Sequence, residues 1–381
     1  MDLVVVSLEA WDGVWRRNQH LVAGLMRLDQ RLRVLFVEPP TDPLHAAMGS
    51  GQPRRGRGLR RGPAVPGVAD GALWLLEPTK WLPRRVDPHV DERWARQVLR
   101  AARSIEMTDP VLWVNDPTGS LLVEATHWRS LYDVTDDWTL APRTPAERDR
   151  VVAQEQVLLD RCDEVVVCSP ALAASKGAAR PVTLVPNGVD AEAYLAQHAR
   201  PADLPTGAVA LYVGTLHGDR LDVELCEATS RALVGFGTLV LVGPDALEAQ
   251  QRSCLAASGV VALGARPSSD VPAYVQHADV LIVPHVVTPF TDSLDPIKLY
   301  EYLASGRAVV STPVAGFRDV DDTLVVVTDA VSFPSAVVRA IRRPRASAGP
   351  AAARAAVHDW ALRVDRFATL LQDLRSRGAT A

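Results

Sequence analysis

Short runs of β-branched and other apolar residues recur along the chain, and between them apolar positions return at helical spacing. This alternation is the mark of βα units and parallel sheets. In the first half the runs predict strands over Leu3–Ser7, Val34–Val37, Ala72–Leu76, Val111–Val114, Ser130–Val134, Glu164–Cys168 and Thr183–Val185. In the second half they predict strands over Val209–Val213, Thr238–Val242, Val260–Leu263, Val280–Val283, Ala308–Ser311 and Leu324–Val327. Two series of similar length imply an α/β protein with two doubly wound sheets. Between them lie Pro186-Asn-Gly-Val-Asp190 and the Ala/Pro-rich segment from Ala199 to Gly207, whose turn residues and low apolar content mark a linker. The boundary is placed there, with one domain over residues 1–200 and a second over 201–357. Ligands of open α/β sheets bind at the carboxyl ends of the strands, so two facing Rossmann-like domains are expected to share one cleft.

Composition narrows the function without naming it. At 381 residues the chain is long enough for two cores. It is 48% hydrophobic and 23% charged with a formal net charge of −4, which argues against a nucleic-acid-binding surface and against a long disordered tail. The charge is uneven: from Arg54 to Arg103 there are 12 Lys and Arg against 5 Asp and Glu, an excess of +7 centred on Arg54-Arg-Gly-Arg-Gly-Leu-Arg-Arg61. Interleaved with Trp74, Trp81 and Trp94, this stretch suits an anionic membrane surface, or else it is a solvated loop. The four cysteines have neither CxxC spacing nor histidine companions, so neither zinc nor a disulfide framework is indicated. The start, Met1-Asp-Leu-Val-Val-Val-Ser7, lacks a basic leader and reads as a buried strand, and no apolar run is long enough to span a bilayer. The expected location is the cytoplasm, free or peripheral at the inner face of the cell membrane.

The densest chemistry lies in Asp295-Pro-Ile-Lys-Leu-Tyr-Glu-Tyr-Leu-Ala-Ser-Gly-Arg-Ala-Val-Val-Ser-Thr312. Pro296 suits a first helical position, and the free N–H groups of the opening turn can bind phosphate oxygens. Glu301 stands one turn on from Lys298, on the same helix face. A cation beside backbone donors fits a diphosphate, and a carboxylate nearby fits ribose hydroxyls.

These residues resemble the donor-site signature of GT-B glycosyltransferases, closest to family four and to bacterial exopolysaccharide or teichuronic-acid transferases, which read Pro-x-Lys-x-x-Glu-Tyr-x-Ala-x-Gly-x-x-Val-Val. The resemblance is patchy over the first 110 residues and clear from Val111 to Trp360. Glu301 falls at the second glutamate of the family's Glu-x7-Glu pair, while Ser293 stands where the first is expected. The resemblance implies a GT-B fold whose C-terminal helix, here residues 358–381, crosses back to the first domain. It also implies a hexosyltransferase-like enzyme using a nucleotide diphosphate sugar and, in family four, retention of anomeric configuration. An aspartate at the base position leaves inversion open.

The remaining site residues are sought after the strands. Gly214 ends the strand Val209–Val213 and lets a backbone approach a ligand, with Arg220 the nearby cation for the diphosphate. Leu263-Gly-Ala-Arg266-Pro267 resembles the family's base-binding loop, so Arg266 is assigned to the base, with a solvent-exposed turn arginine as the alternative. Ser293 and Leu294 should pass close to the sugar. In the first domain, Gly13 fits a tight turn before a helix starting near Val14, and Asp12, Arg16 and Asp116 are candidate acceptor contacts, Asp12 also suiting an N-cap. Ser130-Leu-Tyr-Asp-Val-Thr-Asp-Asp-Trp138 empties into a carboxylate pair. Asp136 stands where the family carries a histidine, and adjacent carboxylates raise each other's proton affinity, which suits Asp136 or Asp137 to take the acceptor's proton. Asp137 alternatively caps the following segment.

The expected reaction is sugar transfer to the hydroxyl of a glycan, a lipid-linked or a small-molecule acceptor. No metal or further cofactor is expected, because no Asp-x-Asp motif ends a strand and Lys298, Arg220 and helix amides can meet the phosphate charge. Two other classes stay open: a nucleotide-sugar epimerase or phosphorylase, and a non-catalytic partner subunit of the same fold.

Overall fold

A computed structural model describes residues 1–43, 54–346 and 348–379. It divides into two compact units: Met1–Asp12 with Arg17–Pro186 and Arg363–Ala381, and Gly13–Arg16 with Asn187–Leu362.

The first unit holds an eight-stranded sheet. Its strands are β1 (Asp2–Val6), β2 (Arg33–Val37), β3 (Gly58–Arg61), β4 (Leu73–Glu77), β5 (Val111–Val114), β6 (Ser130–Val134), β7 (Glu164–Val167) and β8 (Thr183–Leu184), in the order β3-β4-β2-β1-β5-β6-β7-β8. All pairings are parallel except β3 with β4. The order reverses between β1 and β5, where a doubly wound sheet opens a crevice. All four residues of β5 are buried, as a strand covered on both faces requires. The short β3 was not expected: Gly-Leu-Arg-Arg has no apolar alternation, and its arginines suit an edge.

The second unit holds a six-stranded sheet of β9 (Ala208–Val213), β11 (Gly237–Val242), β13 (Val261–Gly264), β14 (Val280–Val283), β15 (Ala308–Ser311) and β16 (Val325–Val327), in the order β13-β11-β9-β14-β15-β16. Counted along this unit the order is that of a Rossmann sheet, with its reversal between β9 and β14. Two-residue strands β10 (Leu216–His217) and β12 (Asp245–Ala246), not expected from the sequence, pair beside it.

The units divide at Pro186/Asn187, earlier than the linker composition suggested. The amide of Asn187 donates to Asp295 Oδ2 at 2.5 Å, and Val189 forms a bridge with Asp359, so residues 187–200 are fastened to the second unit. The last helix runs from Trp360 to Ala379, and from Arg363 on it groups with the first unit. There it packs on the helix Arg17–Leu28 at Gly24, where any Cβ would collide with Val364. Phe367 stacks near Trp113, with ring centroids 4.8 Å apart, and lies under the Arg17 guanidinium at 5.4 Å.

The helix expected from Val14 begins at Arg17 and carries polar residues into the interior. Arg17 grips Asp133 on β6 through Nε and one terminal nitrogen at 3.0 Å each, and both side chains are buried. Asn18 donates to Ser7 Oγ and to Asn115 Oδ1, while Asn115 donates to the Asp133 carbonyl at 2.9 Å. These bonds tie the carboxyl ends of β1, β5 and β6 to one helix start. A bidentate guanidinium–carboxylate pair fits such a place because its geometry satisfies both ions.

Removing one member of a buried pair leaves an uncompensated charge, which costs about 3–5 kcal/mol. Arg17→Met is expected to lose about that much, and Arg17→Met with Asp133→Leu to recover most of it. Urea denaturation followed by tryptophan fluorescence checks this, since seven of the nine tryptophans lie in the first unit. A double variant as unstable as the single one would contradict the account.

Candidate functional site

The site in the second unit begins where two strands part. β9 pairs with β11 through Val213, and β14 pairs with β15 through Val283, but the β9–β14 ladder ends at Leu211 and Leu281. The backbone N–H of Val213 is satisfied instead by the Tyr302 hydroxyl at 2.9 Å, a buried contact from the helix Ile297–Ser305. That bond seats the helix against the end of β9.

The helix start is fastened too. Asp295 accepts the Tyr300 hydroxyl at 2.6 Å and the Asn187 amide, and its carbonyl accepts the Asn187 side chain. Pro296 is the N-cap rather than the first helical residue, with its carbonyl accepting the Leu299 amide at 2.9 Å. Gly306 ends the helix in the left-handed conformation, φ 70°, that glycine allows.

This frame delivers Lys298 to the parting strands. Its Nζ donates to the Tyr212 hydroxyl at 2.9 Å, lies 3.4 Å from His285 Nε2 and stands 4.0 Å from the Tyr212 ring centre. Tyr212 and His285 are themselves 3.0 Å apart. His285, just beyond β14, is fixed by Thr312, whose hydroxyl donates to the His285 carbonyl at 2.8 Å. Gly214 supplies the space: a Cβ there would lie 2.8 Å from Lys298 Nζ, on backbone with φ +145°.

Charge at this point is one-sided. Burial pushes the Lys298 amine down to about 7, with Arg220 adding to the effect and Glu301 opposing it. Burial, reinforced by Lys298 and Arg220, holds His285 well below its ordinary value, so its imidazole is neutral. Arg220 lies over the Phe290 ring at 4.9 Å, with its Nε buried and unbonded. Its loop is held by the bonds of Val286 N–H to the Arg220 carbonyl and of Asp222 N–H to the Pro284 carbonyl. Among the described residues, no carboxylate forms an ion pair with Arg220 or Lys298 within 4.0 Å. Burial raises the proton affinity of Glu301, partly offset by the Tyr194 hydroxyl and Lys298. Two cations, a helix N-terminus and a carboxylate one turn on can bind a dianion and orient a hydroxylated group beside it.

Other nominated residues are placed differently. The Ser293 hydroxyl is buried and spent on the Phe290 carbonyl at 2.7 Å, while Leu294 follows that turn in extended conformation. Arg266 binds the Tyr274 hydroxyl and the Leu263 carbonyl and pairs with Asp203 at 2.5 Å, so most of its donors serve the loop rather than a base. Gly13 lies in the connection from β1 to the helix Arg17–Leu28, and its carbonyl accepts the Ser268 amide at 2.7 Å. Arg16 bonds the Val14 carbonyl, and Asp12 is exposed in the first unit. Asp116 caps the turn Pro117–Gly119 by accepting the Thr118 amide. Of the carboxylate pair, Asp137 is buried against Lys176 at 3.1 Å and accepts the Thr139 amide, whereas Asp136 is partly exposed beyond β6. Trp94 is in the core and Trp74 lies under Arg61, so of the three tryptophans near the basic stretch only Trp81 is exposed. Arg54 and Arg57 pair with Glu77, and Arg60 with Glu38, so three arginines of the basic core are matched by carboxylates.

Tyr212 and His285 were not nominated from sequence. Tyr212 reads as one more strand residue. The position of His285 directly after a predicted strand was the available signal.

Residues 207–343 match the family described as Glycosyl transferases group 1. Over 219 residues the chain is 26% identical to the putative teichuronic acid biosynthesis glycosyltransferase TuaH of Bacillus subtilis (strain 168). That match spans 53% of this chain and 55% of the relative, about half of each. An α,α-trehalose 6-phosphate synthase from Burkholderia multivorans superposes with a TM-score of 0.68 at 16% identity, covering 100% of this chain and 98% of that one. Anabaena Alr3699/HepE, solved with UDP-glucose, gives 0.65 at 14% identity, covering 98% and 100%. The chain has the GT-B fold of these structures, and the residues that match the family model include Tyr212, Gly214, Arg220, His285, Lys298 and Glu301.

Gly214→Ala tests the construction of the site. A side chain at this φ costs about 1–3 kcal/mol, so the unfolding midpoint of the second unit should drop accordingly. An unchanged midpoint in chemical denaturation would show that the glycine is dispensable.

Proposed function

We propose that this chain is a glycosyltransferase that moves a sugar from a nucleotide diphosphate sugar to an acceptor hydroxyl. The observation that carries the reading is the pair Lys298 and Arg220, two cations without a carboxylate partner beside the opening turn of a helix, at the point where β9 and β14 separate. A diphosphate is the ligand that such a site neutralises, and as leaving group it is stabilised by the same donors when its charge grows. Glu301 then takes ribose hydroxyls. These side chains and the helix amides meet the phosphate charge in place of a metal ion.

For acceptor activation the role is assigned to Asp136, which is partly exposed beyond β6 and stands where family four carries a histidine. Retention is the stereochemistry we assign, on the resemblance to family four. A hollow lined by Glu38, Thr41, Arg54, Arg57 and Glu77 opens at the carboxyl edge of the first sheet and supports placing the acceptor on that unit.

Thermal shift with UDP-, GDP- and dTDP-glucose, followed by turnover of the one that stabilises, tests the reading. Lys298→Ala is expected to lower kcat about 10²-fold, as loss of a charge-stabilising donor does. Glu301→Ala should raise the donor KM about 10-fold or more for its hydrogen bonds to ribose. Wild-type kinetics in both variants would place the donor elsewhere, and consumption of donor without any acceptor would favour an epimerase.

A lipid-borne acceptor is supported by one surface. Trp81 (53% exposed), Leu82 (42%) and Val86 (64%) project from the segment after β4, with Arg85 exposed among them and Arg55 stacked on Trp81 at 4.6 Å. Apolar side chains with basic neighbours suit the interface of an anionic bilayer. The protein should float with phosphatidylglycerol vesicles at low salt, less so at high salt, and Trp81→Asp should abolish this. No flotation at low salt would exclude the membrane and leave a soluble acceptor.

A further inference from the structure

Resting on the donor-site reading, we propose that His285 and Tyr212 are positioning residues that together hold Lys298 for the diphosphate. A lysine ammonium has donors only, so at the 2.9 Å contact Lys298 gives and the Tyr212 oxygen receives. The Tyr212 hydrogen must then point to an acceptor. His285 Nε2 lies at 3.0 Å, while the Thr215 carbonyl is more distant at 3.4 Å. Nε2 therefore carries no proton, and the imidazole is neutral with its hydrogen on Nδ1. The same Nε2, 3.4 Å from Lys298, also faces the ammonium with its lone pair.

The opposite arrangement is disfavoured by donor facing donor. A proton on Nε2, in the neutral Nε2–H tautomer or in the imidazolium, would face the Lys298 ammonium and turn two donors onto one hydroxyl oxygen, and the imidazolium would also add a charge beside Lys298 and Arg220. A neutral histidine thus does what a carboxylate cannot. It anchors the lysine by accepting, yet leaves its full positive charge for the ligand. An aspartate at 285 would anchor Lys298 equally well and cancel the charge the diphosphate needs.

The groups around Lys298 are Tyr212 on β9, His285 after β14, Arg220 and His217 after β9, and Glu301 on its own helix. A nucleotide sugar keeps constant charge near neutral pH, so the pH dependence of its binding reports on the protein. Because the ligand favours the ammonium, wild-type affinity is highest below about 7 and falls as pH rises through the point where Lys298 loses its proton. Removing the histidine acceptor disfavours the ammonium and moves that fall to lower pH.

The test is calorimetric binding of UDP-glucose, with GDP- and dTDP-glucose as alternates, to the full chain between pH 5.5 and 9. Tyr212→Phe and His285→Leu are each expected to weaken binding about 10-fold at pH 7, the order of one hydrogen bond to a charged group. The double variant should be no weaker than either single one, His285→Gln should recover most of the affinity through its amide oxygen, and the pH midpoint of His285→Leu should move acid. If His285→Leu fails to fold, Tyr212→Phe and His285→Gln carry the test. Unaltered affinity and pH midpoint in the variants, or additive losses in the double variant, would overturn the positioning role while leaving the donor site standing. A wild-type protein that binds none of the three nucleotide sugars would overturn the donor-site reading and this proposal with it.

Discussion

A lysine seated among neutral acceptors is the constraint around which the second unit is arranged. Lys298 reaches the carboxyl edge of the sheet only because β9 and β14 stop pairing before their ends and Gly214 presents no side chain. The helix that carries it is fixed at both ends, by Asp295 bonding Asn187 and Tyr300 and by Gly306 turning the chain away. Tyr302 takes over the Val213 amide that the missing ladder leaves unpaired. Each contact is ordinary, yet they converge on one ammonium whose nearest oxygen belongs to a tyrosine. Most buried cations are matched by carboxylates, and this one is not.

The first unit solves the opposite problem. There the buried cations and amide donors find partners within the protein: Arg17 pairs with Asp133, Asn18 Nδ2 donates to Ser7 and Asn115, and Lys176 pairs with Glu155 and Asp137. Networks of this kind hold a loop rigid because a half-made one would be costly. The Lys176 network fixes the loop after β6 and so sets the path of Asp136, the neighbour of the engaged Asp137. The contrast between an edge whose buried cations are paired with carboxylates and one that keeps cations without such partners among the described residues separates residues that build from residues left to bind.

Much of this was legible in the sequence. All thirteen expected strands appear within a residue or two, because fully buried parallel strands need continuous apolar runs that composition cannot hide. The placement of Lys298 and Glu301 one turn apart on one helix was legible as well, since their spacing is local and a helix period fixes it. What was hidden depended on long-range partners. Arg266 pairs with Asp203, 63 residues away, a contact that only the fold shows. Tyr212 lies inside a strand, and that its hydroxyl meets a lysine 86 positions on is invisible to periodicity. Trp94 and Trp81 look alike in a basic stretch, but one faces a core and the other solvent.

The charge states of Lys298 and Glu301 also bear on the class of ligand proposed for the site. Burial weakens the ammonium of the first and the carboxylate of the second, so both charged forms are held below their full strength. A plain anion would strengthen only the lysine, and a neutral polyol would engage only the glutamate. A molecule bearing a diphosphate next to vicinal hydroxyls restores both at once, because each protein group gains the partner that its charged form lacks. Selectivity in such a site comes less from shape than from satisfying two opposite electrostatic demands about one helical turn apart.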